Sequence, residues 1–247
     1  MDVFRGISLA VVRDMPRLPR SLLLEPGLSL HKVWRGHNRE WNLSEPTEKL
    51  TYLSMLNEEI VKQWSQLRAL CLMSNHSHEV YSLDNVEEFS VFMRRHHGRY
   101  GQFFNKRHNR CGQVAQDRPK TPAIQDEDQE MRVTFYVHAN PLRARMVKDA
   151  NQYPWSTHRL YAFGKRAIWM KNVRFPKWYM ELGRTWDMRQ GQYRKLFDAF
   201  LRTEGFIKQN FSQYGIGDLR WCSRRRCGIL ELIKKKREAA SKNHSPP

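Results

Sequence analysis

The chain has 247 residues, enough for one sizeable domain with an appendage, and its 43 Lys+Arg against 25 Asp+Glu give a formal net charge of +18. Such a field attracts polyanions, so nucleic acid is the first partner to weigh against a generally basic surface or a membrane-surface protein, and the aromatics among the basic residues of Arg99-Tyr100 and Phe103-Phe-Asn-Lys-Arg107 favour nucleic acid. Four irregularly spaced cysteines argue against a disulfide scaffold, Cys222-x4-Cys227 lacks the second pair of a zinc site, and the apolar run at residues 7–12 is too short to span a bilayer, so the expected location is the cytoplasm, with the nucleoid.

Residues 1–14 show no clear period and are expected to be a poorly ordered leader. After a Leu-rich run broken at Pro26-Gly27, residues 28–34 alternate apolar and polar, which predicts a half-buried strand turning at Gly36. Ser44-Glu-Pro46 reads as a helix start, with Leu50, Leu53, Leu56, Ile60 and Trp64 at helical spacing over about twenty residues. Residues 67–73 and 76–83 then read as two antiparallel strands joined by a tight bend at Ser74-Asn75. A second helix, capped at Asp84-Asn85, runs to Arg107 and carries Arg94, Arg95, Arg99, Lys106 and Arg107; these are either an ordinary solvated face or a phosphate-facing one. Residues 109–122, interrupted by Pro119 and Pro122, read as a weak edge strand or a loop. A third helix over residues 126–139 is expected to end or kink at Asn140-Pro141, because the residue before proline avoids helical backbone, with residues 142–147 open to continue as a further turn. Gly164 is the expected end of the main domain. Beyond it lie a helical appendage with an apolar stripe (Tyr193, Leu196, Phe197, Phe200, Leu201) and a basic, partly disordered arm holding Arg224-Arg-Arg226, Lys234-Lys-Lys-Arg237 and Ser245-Pro-Pro247.

The chemistry centres on residues 70–81. His76 and His78 are two apart on a strand, so both imidazoles project from one face and can converge on a cation. A paired histidine on a strand is otherwise a polar surface or hydrogen-bonded core feature, and a metal needs a further ligand. Tyr136 and Asn140, one helical turn apart near the end of the third helix, offer a hydroxyl and an amide oxygen, although a buried tyrosine beside a cap asparagine would look the same.

Several stretches occur in the order seen in REP-associated tyrosine transposases, a branch of the single-tyrosine HUH transposases. They are Met15-Pro-Arg-Leu-Pro-Arg20, His31-Lys-Val-Trp-Arg-Gly-His-Asn-Arg-Glu40, Cys71-Leu-Met-Ser-Asn-His-Ser-His78, Phe103-Phe-Asn-Lys-Arg-His-Asn-Arg-Cys-Gly112, Tyr136-Val-His-Ala-Asn-Pro-Leu-Arg-Ala-Arg-Met-Val147 and Tyr153-Pro-Trp-Ser-Thr157. The chain resembles that family over residues 15–164, leaving 165–247 as a basic helical extension. The resemblance implies an α+β fold, a ferredoxin-like βαββαβα domain with an antiparallel sheet, acting on single-stranded or hairpin DNA as a monomer or homodimer. It implies a divalent ion, Mg2+ or Mn2+, held by His76, His78 and Asn140, and Tyr136 as nucleophile forming a 5′-phosphotyrosine; Arg143 and Arg145 join Arg94, Arg95, Arg99, Lys106 and Arg107 as backbone contacts. Two other readings stay open: a catalytically inactive DNA-binding derivative, and a replication-initiator or relaxase-type nickase. The family pattern is departed from at Ser74, Ser77, Glu79 and Val114-Ala115-Gln116. Glu79 should face away from the histidines, as an unfavourable core charge, a salt-bridge partner or a mark of a decaying copy.

Overall fold

The alternation in β1 (Ser29–Arg35) sends Leu30, Lys32 and Trp34 to one face of a sheet and His31, Val33 and Arg35 to the other. In the computed structural model, which describes residues 18–62, 65–203 and 212–242, β1 pairs antiparallel with β3 (His76–Ser82), with Val33 opposite His78 and Arg35 opposite His76. β3 pairs in turn with β2 (Gln66–Leu72) across the Ser74-Asn75 bend, where the Met73 N–H donates to the His76 carbonyl at 2.8 Å. β4 (Ala123–Ile124) lies antiparallel on the other side of β1 and completes the order β2-β3-β1-β4. This is the ferredoxin-like α+β arrangement, with a helical C-terminal region added. The leader expected at residues 1–14 and the terminal Ser245-Pro-Pro247 lie outside the described residues.

β4 is only two residues long, and the chain before it touches the sheet at single bridges, Ala115 with Gly36 and Lys120 with Val33. Pro119 and Pro122 supply no N–H, so a continuous ladder cannot form there.

Helix α2 (Pro46–Ile60) starts with proline in its first turn, where the missing N–H costs nothing, and Glu48 accepts the Glu45 N–H at 2.9 Å. It is shorter than the twenty residues its apolar spacing predicts, because the chain turns at residues 61–62; Trp64, the last residue of that spacing, lies outside the described residues. Helix α3 (Val86–Arg107) is capped by the Asn85 side chain, which accepts the Glu88 N–H at 3.0 Å. Both helices cover one face of the sheet, burying Leu30, Trp34, Tyr52, Leu56, Tyr81, Phe89 and Tyr100.

Helix α4 (Glu127–Arg143) covers the opposite face, packing Val133 and Val137 on Ala69, Cys71 and Val80. The end expected at Asn140-Pro141 does not occur; the helix runs on to Arg143 with Pro141 inside it. Pro141 has no N–H for the Val137 carbonyl one turn back, and the Asn140 side-chain amide donates to that oxygen instead, at 3.3 Å, and to the Tyr136 carbonyl at 3.0 Å.

The sheet face under α2 and α3 also holds charge. Lys32 and Glu79, both fully buried, form an ion pair of 2.6 Å. The same carboxylate accepts from Tyr52 at 2.8 Å, Ser77 at 2.7 Å and the Tyr81 hydroxyl. Of the three roles open to Glu79, the structure shows the salt-bridge partner, and Ser77 belongs to the same network. Two of the departures from the family pattern therefore answer each other across the face that the histidines do not use.

Residues 153–157 run along the free edge of β2, with the Leu72 N–H donating to the Trp155 carbonyl and the Thr157 N–H to the Leu70 carbonyl, each at 2.9 Å. Beyond them come α5 (His158–Phe163), α6 (Lys177–Met180) and α7 (Trp186–Thr203). The predicted stripe on α7 buries Tyr193, Phe197 and Phe200 against Phe135 of α4, with Tyr161 and Trp178 beside them. The basic arm, expected to be partly disordered, forms helix α8 (Leu219–Lys242). Trp221, Ile229 and Ile233, at multiples of four residues, pack on the main core and explain why it is ordered despite its charge.

Candidate active site

Strand period and strand order together build this site. Parity places His76 and His78 on the α4 face of β3, their ring centroids 4.9 Å apart, and β1 brings His31 beside them. His31 Nε2 and His78 Nδ1 are 3.0 Å apart and share a proton, with the rings stacked at 5.1 Å. His76 Nδ1 is held by the Asn75 side-chain oxygen at 2.6 Å. Each histidine of the pair therefore has Nδ1 engaged, which leaves Nε2 as its remaining ring nitrogen. With His78 donating through Nδ1–H and His76 through Nδ1–H, both Nε2 atoms carry lone pairs.

Burial and positive neighbours keep these rings neutral. His76 is pulled down to about 4 by burial and by Arg35, and His31 to about 3 by burial against a weaker opposing pull from Glu79. His78 is held well below the ordinary histidine value by burial, then by His76, His31, Arg35 and Arg143. Neutral imidazole is the form that ligates metal.

From α4, Tyr136 presents its ring edge-on at 5.8 Å from His78 and 6.1 Å from His31. Arg143, two turns further on, lays its guanidinium 4.4 Å from the Tyr136 ring centroid, and its Nη1 is buried with no hydrogen-bond partner among the described residues. Asn140 is buried, 8% exposed, and spends its amide nitrogen on the α4 backbone, so its side-chain oxygen is the atom left for a ligand.

The donor atoms these hydrogen bonds leave over are two neutral imidazole nitrogens and one amide oxygen, types that can ligate a divalent ion. Among the described residues no three His, Cys, Asp or Glu side chains form a metal cluster, so an ion here depends on a neutral oxygen and on water or substrate for the rest of its shell.

The seven basic residues expected at DNA separate. Arg143 stands at Tyr136, and exposed Arg145 follows the end of α4. Arg94, Arg95, Arg99, Lys106 and Arg107 lie on α3, which packs on the other face of the sheet from α4. Arg99 is tied to Glu58 at 2.7 Å and Glu59 at 3.0 Å, and Arg107 to Glu45 at 2.6 Å, so these two direct their charge to carboxylates rather than to open solvent. His31 and Arg35 were not among the expected site residues. The apolar-polar alternation of β1 placed both on one face, but only the β3-β1 adjacency shows which face that is.

Among the described residues, no helix is long and apolar enough to cross a membrane. No family model and no curated protein matches the chain. Among solved structures, one described as a REP-associated tyrosine transposase bound to a REP hairpin is similar at 20% identity with a TM-score of 0.48, over 58% of this chain and 85% of that chain.

Proposed function

We propose that this protein cleaves and rejoins single-stranded DNA through a covalent tyrosine intermediate. The observation that carries the reading is the placement of Tyr136 between two features that suit a phosphodiester: the neutral His76/His78 pair and the Arg143 guanidinium, whose buried Nη1 lacks a partner among the described residues. The sequence order of the motifs around these residues supports it.

In this reading His76 Nε2, His78 Nε2 and the Asn140 side-chain oxygen would hold the ion, and imidazole-rich ligation favours Mn2+ over Mg2+. A divalent ion held there would supply Lewis-acid charge to a phosphate oxygen. Arg143 binds a second non-bridging oxygen and orients the phosphate over the tyrosine edge. The Tyr136 oxygen attacks phosphorus and gives up its proton to solvent; the P–O3′ bond breaks, leaving a 5′-phosphotyrosine and a free 3′-hydroxyl. Because the phosphodiester is exchanged for another of similar energy, a 3′-hydroxyl can attack the tyrosyl phosphate, release Tyr136 and join a strand without ATP.

The test is incubation with a single-stranded, hairpin-containing oligonucleotide taken from the sequence flanking the gene, with Mn2+, followed by denaturing electrophoresis. Wild type should give a covalent adduct that the Tyr136→Phe variant lacks. An adduct that survives in Tyr136→Phe overturns the nucleophile assignment, and salt-sensitive binding with no adduct in wild type favours the inactive DNA-binding reading.

A further inference from the structure

A second feature, on the α3 side of the sheet, is a groove of about 1110 Å³ between α3, the start of α1 (Arg20–Leu23) and residues 112–119. Its volume lies just above the roughly 300–1,000 Å³ usual for small-molecule sites. Arg20 lines it and is only 9% exposed, yet among the described residues its Nε and Nη2 have no hydrogen-bond partner. These two atoms are the side-on pair of the guanidinium fork, the geometry that grips two oxygens of one anion. A buried cation without a counter-charge is costly, and among the described residues the charge that shifts Arg20 is another cation, Arg118. Burial and Arg118 lower the Arg20 pKa to about 10, which still leaves it charged at neutral pH.

Other orphaned atoms surround it. Among the described residues Trp34 Nε1 and His97 Nε2 are buried and unpartnered, their rings stacked at 5.3 Å, and Asn105 contributes an unpartnered side-chain oxygen. All three residues line the groove. Arg94 adds a further cation at the rim, while Glu87 and Asp117 are the acids present. Asp117 is engaged, since its carboxylate accepts the Arg118 N–H at 2.6 Å. The wall opposite the loop is open at Gly98, where an added Cβ would meet nothing within 4 Å.

We infer that this groove is a second phosphate-binding site, in which the Arg20 fork and the Trp34 indole N–H take the oxygens of one phosphate. The phosphate comes either from a DNA strand or from a free mononucleotide; the donors are the same for both. The inference does not depend on the chemistry at Tyr136, from which the sheet separates it.

The full-length protein, in buffer with EDTA, is titrated with three probes: inorganic phosphate, thymidine monophosphate and a twelve-residue oligothymidylate. The Trp34 indole ¹H–¹⁵N resonance, assigned with a Trp34→Phe variant, is followed throughout. Movement with the oligonucleotide alone identifies strand phosphate; movement with the mononucleotide or with free phosphate identifies a small ligand. Arg20→Met should abolish the movement and weaken binding of the responding probe about 10- to 100-fold. Because it removes an uncompensated charge, it should also melt no lower than wild type in the absence of ligand. Gly98→Leu should fill the groove and block the movement with the helix intact. The proposal is overturned if no probe moves the resonance, if the movement survives Arg20→Met, or if that variant melts below wild type, which would make Arg20 a structural residue. Tyr136→Phe should leave the movement unchanged, so a failure of the cleavage reading would not be mistaken for a failure of this one.

Discussion

His31 meets His78 through a hydrogen bond, and that bond decides which nitrogen His78 has left to offer. With Nδ1 of His78 tied to His31, the ring cannot flip without losing a buried partner, and Nε2 stays directed away from the sheet. His31→Ala should therefore weaken Mn2+ binding about 10- to 100-fold, measured from the electron paramagnetic resonance signal of free Mn2+, with the circular dichroism spectrum unchanged. Unaltered affinity would reduce His31 to a packing residue. The Lys32–Glu79 pair makes the opposite kind of prediction, because it acts on stability alone. Lys32→Met strands the Glu79 carboxylate in the core and should cost about 3–5 kcal/mol in urea unfolding. The double variant Lys32→Met/Glu79→Leu removes both charges and should recover most of that loss, since an apolar pair of similar volume needs no partner. The single variant being no less stable than wild type would mean that the carboxylate is satisfied by Tyr52, Ser77 and Tyr81 without the lysine.

Along α4, two functions meet in one side chain. Asn140 replaces the donor that Pro141 cannot supply, and its remaining oxygen is the candidate metal ligand. The two functions separate by substitution. Asn140→Asp keeps an oxygen but has no N–H for the Val137 carbonyl, so it should lose about 1–3 kcal/mol of stability while retaining Mn2+ binding. Asn140→Ala should lose both, and equal metal affinity in all three proteins would remove Asn140 from the ligand set. This helix also shows what a sequence can and cannot reveal. The histidine pair, the Tyr136/Asn140 spacing and the three main helices were legible because each depends on a local period of two or about 3.6 residues. A further turn after Pro141 was legible, but its joining to α4 as one helix was not, because a side-chain substitute for a backbone donor leaves no mark in periodicity. His31 and the partnership of Lys32 with Glu79 were hidden for another reason: they need the order of strands, which is a property of the whole sheet. Helix α8 was obscured by its charges, although Trp221, Ile229 and Ile233 carry a regular apolar spacing beneath them.

At the scale of the molecule, burial of histidine makes the fold sensitive to acid. His96 is held at about 3 by burial with Lys32 adding to it, and His158 at about 4 by burial against a weaker opposing pull from Asp149. Both take up a proton near pH 6.5 in the unfolded chain but resist it when folded. Their contribution is therefore fully present above pH 6.5 and is lost as pH falls from there toward 4, by about 1.4 kcal/mol per pH unit for each. Chemical unfolding at pH 7, 6 and 5 should show this decline, with a shallower slope in His158→Asn; a pH-independent midpoint would mean these rings are protonated in the fold.

The sheet itself has a further consequence, because it is a partition one residue thick. Along β3, His76 and His78 face α4 and the candidate site, whereas Ser77, Glu79 and Tyr81 face α2 and α3 and the buried ion pair. Selection on such a strand should leave two interleaved records. In a saturation mutagenesis screen that scores abundance and DNA joining separately, substitutions at His76 and His78 should leave the protein plentiful but idle. Those at Ser77, Glu79 and Tyr81 should deplete it, so that the two scores alternate from one codon to the next.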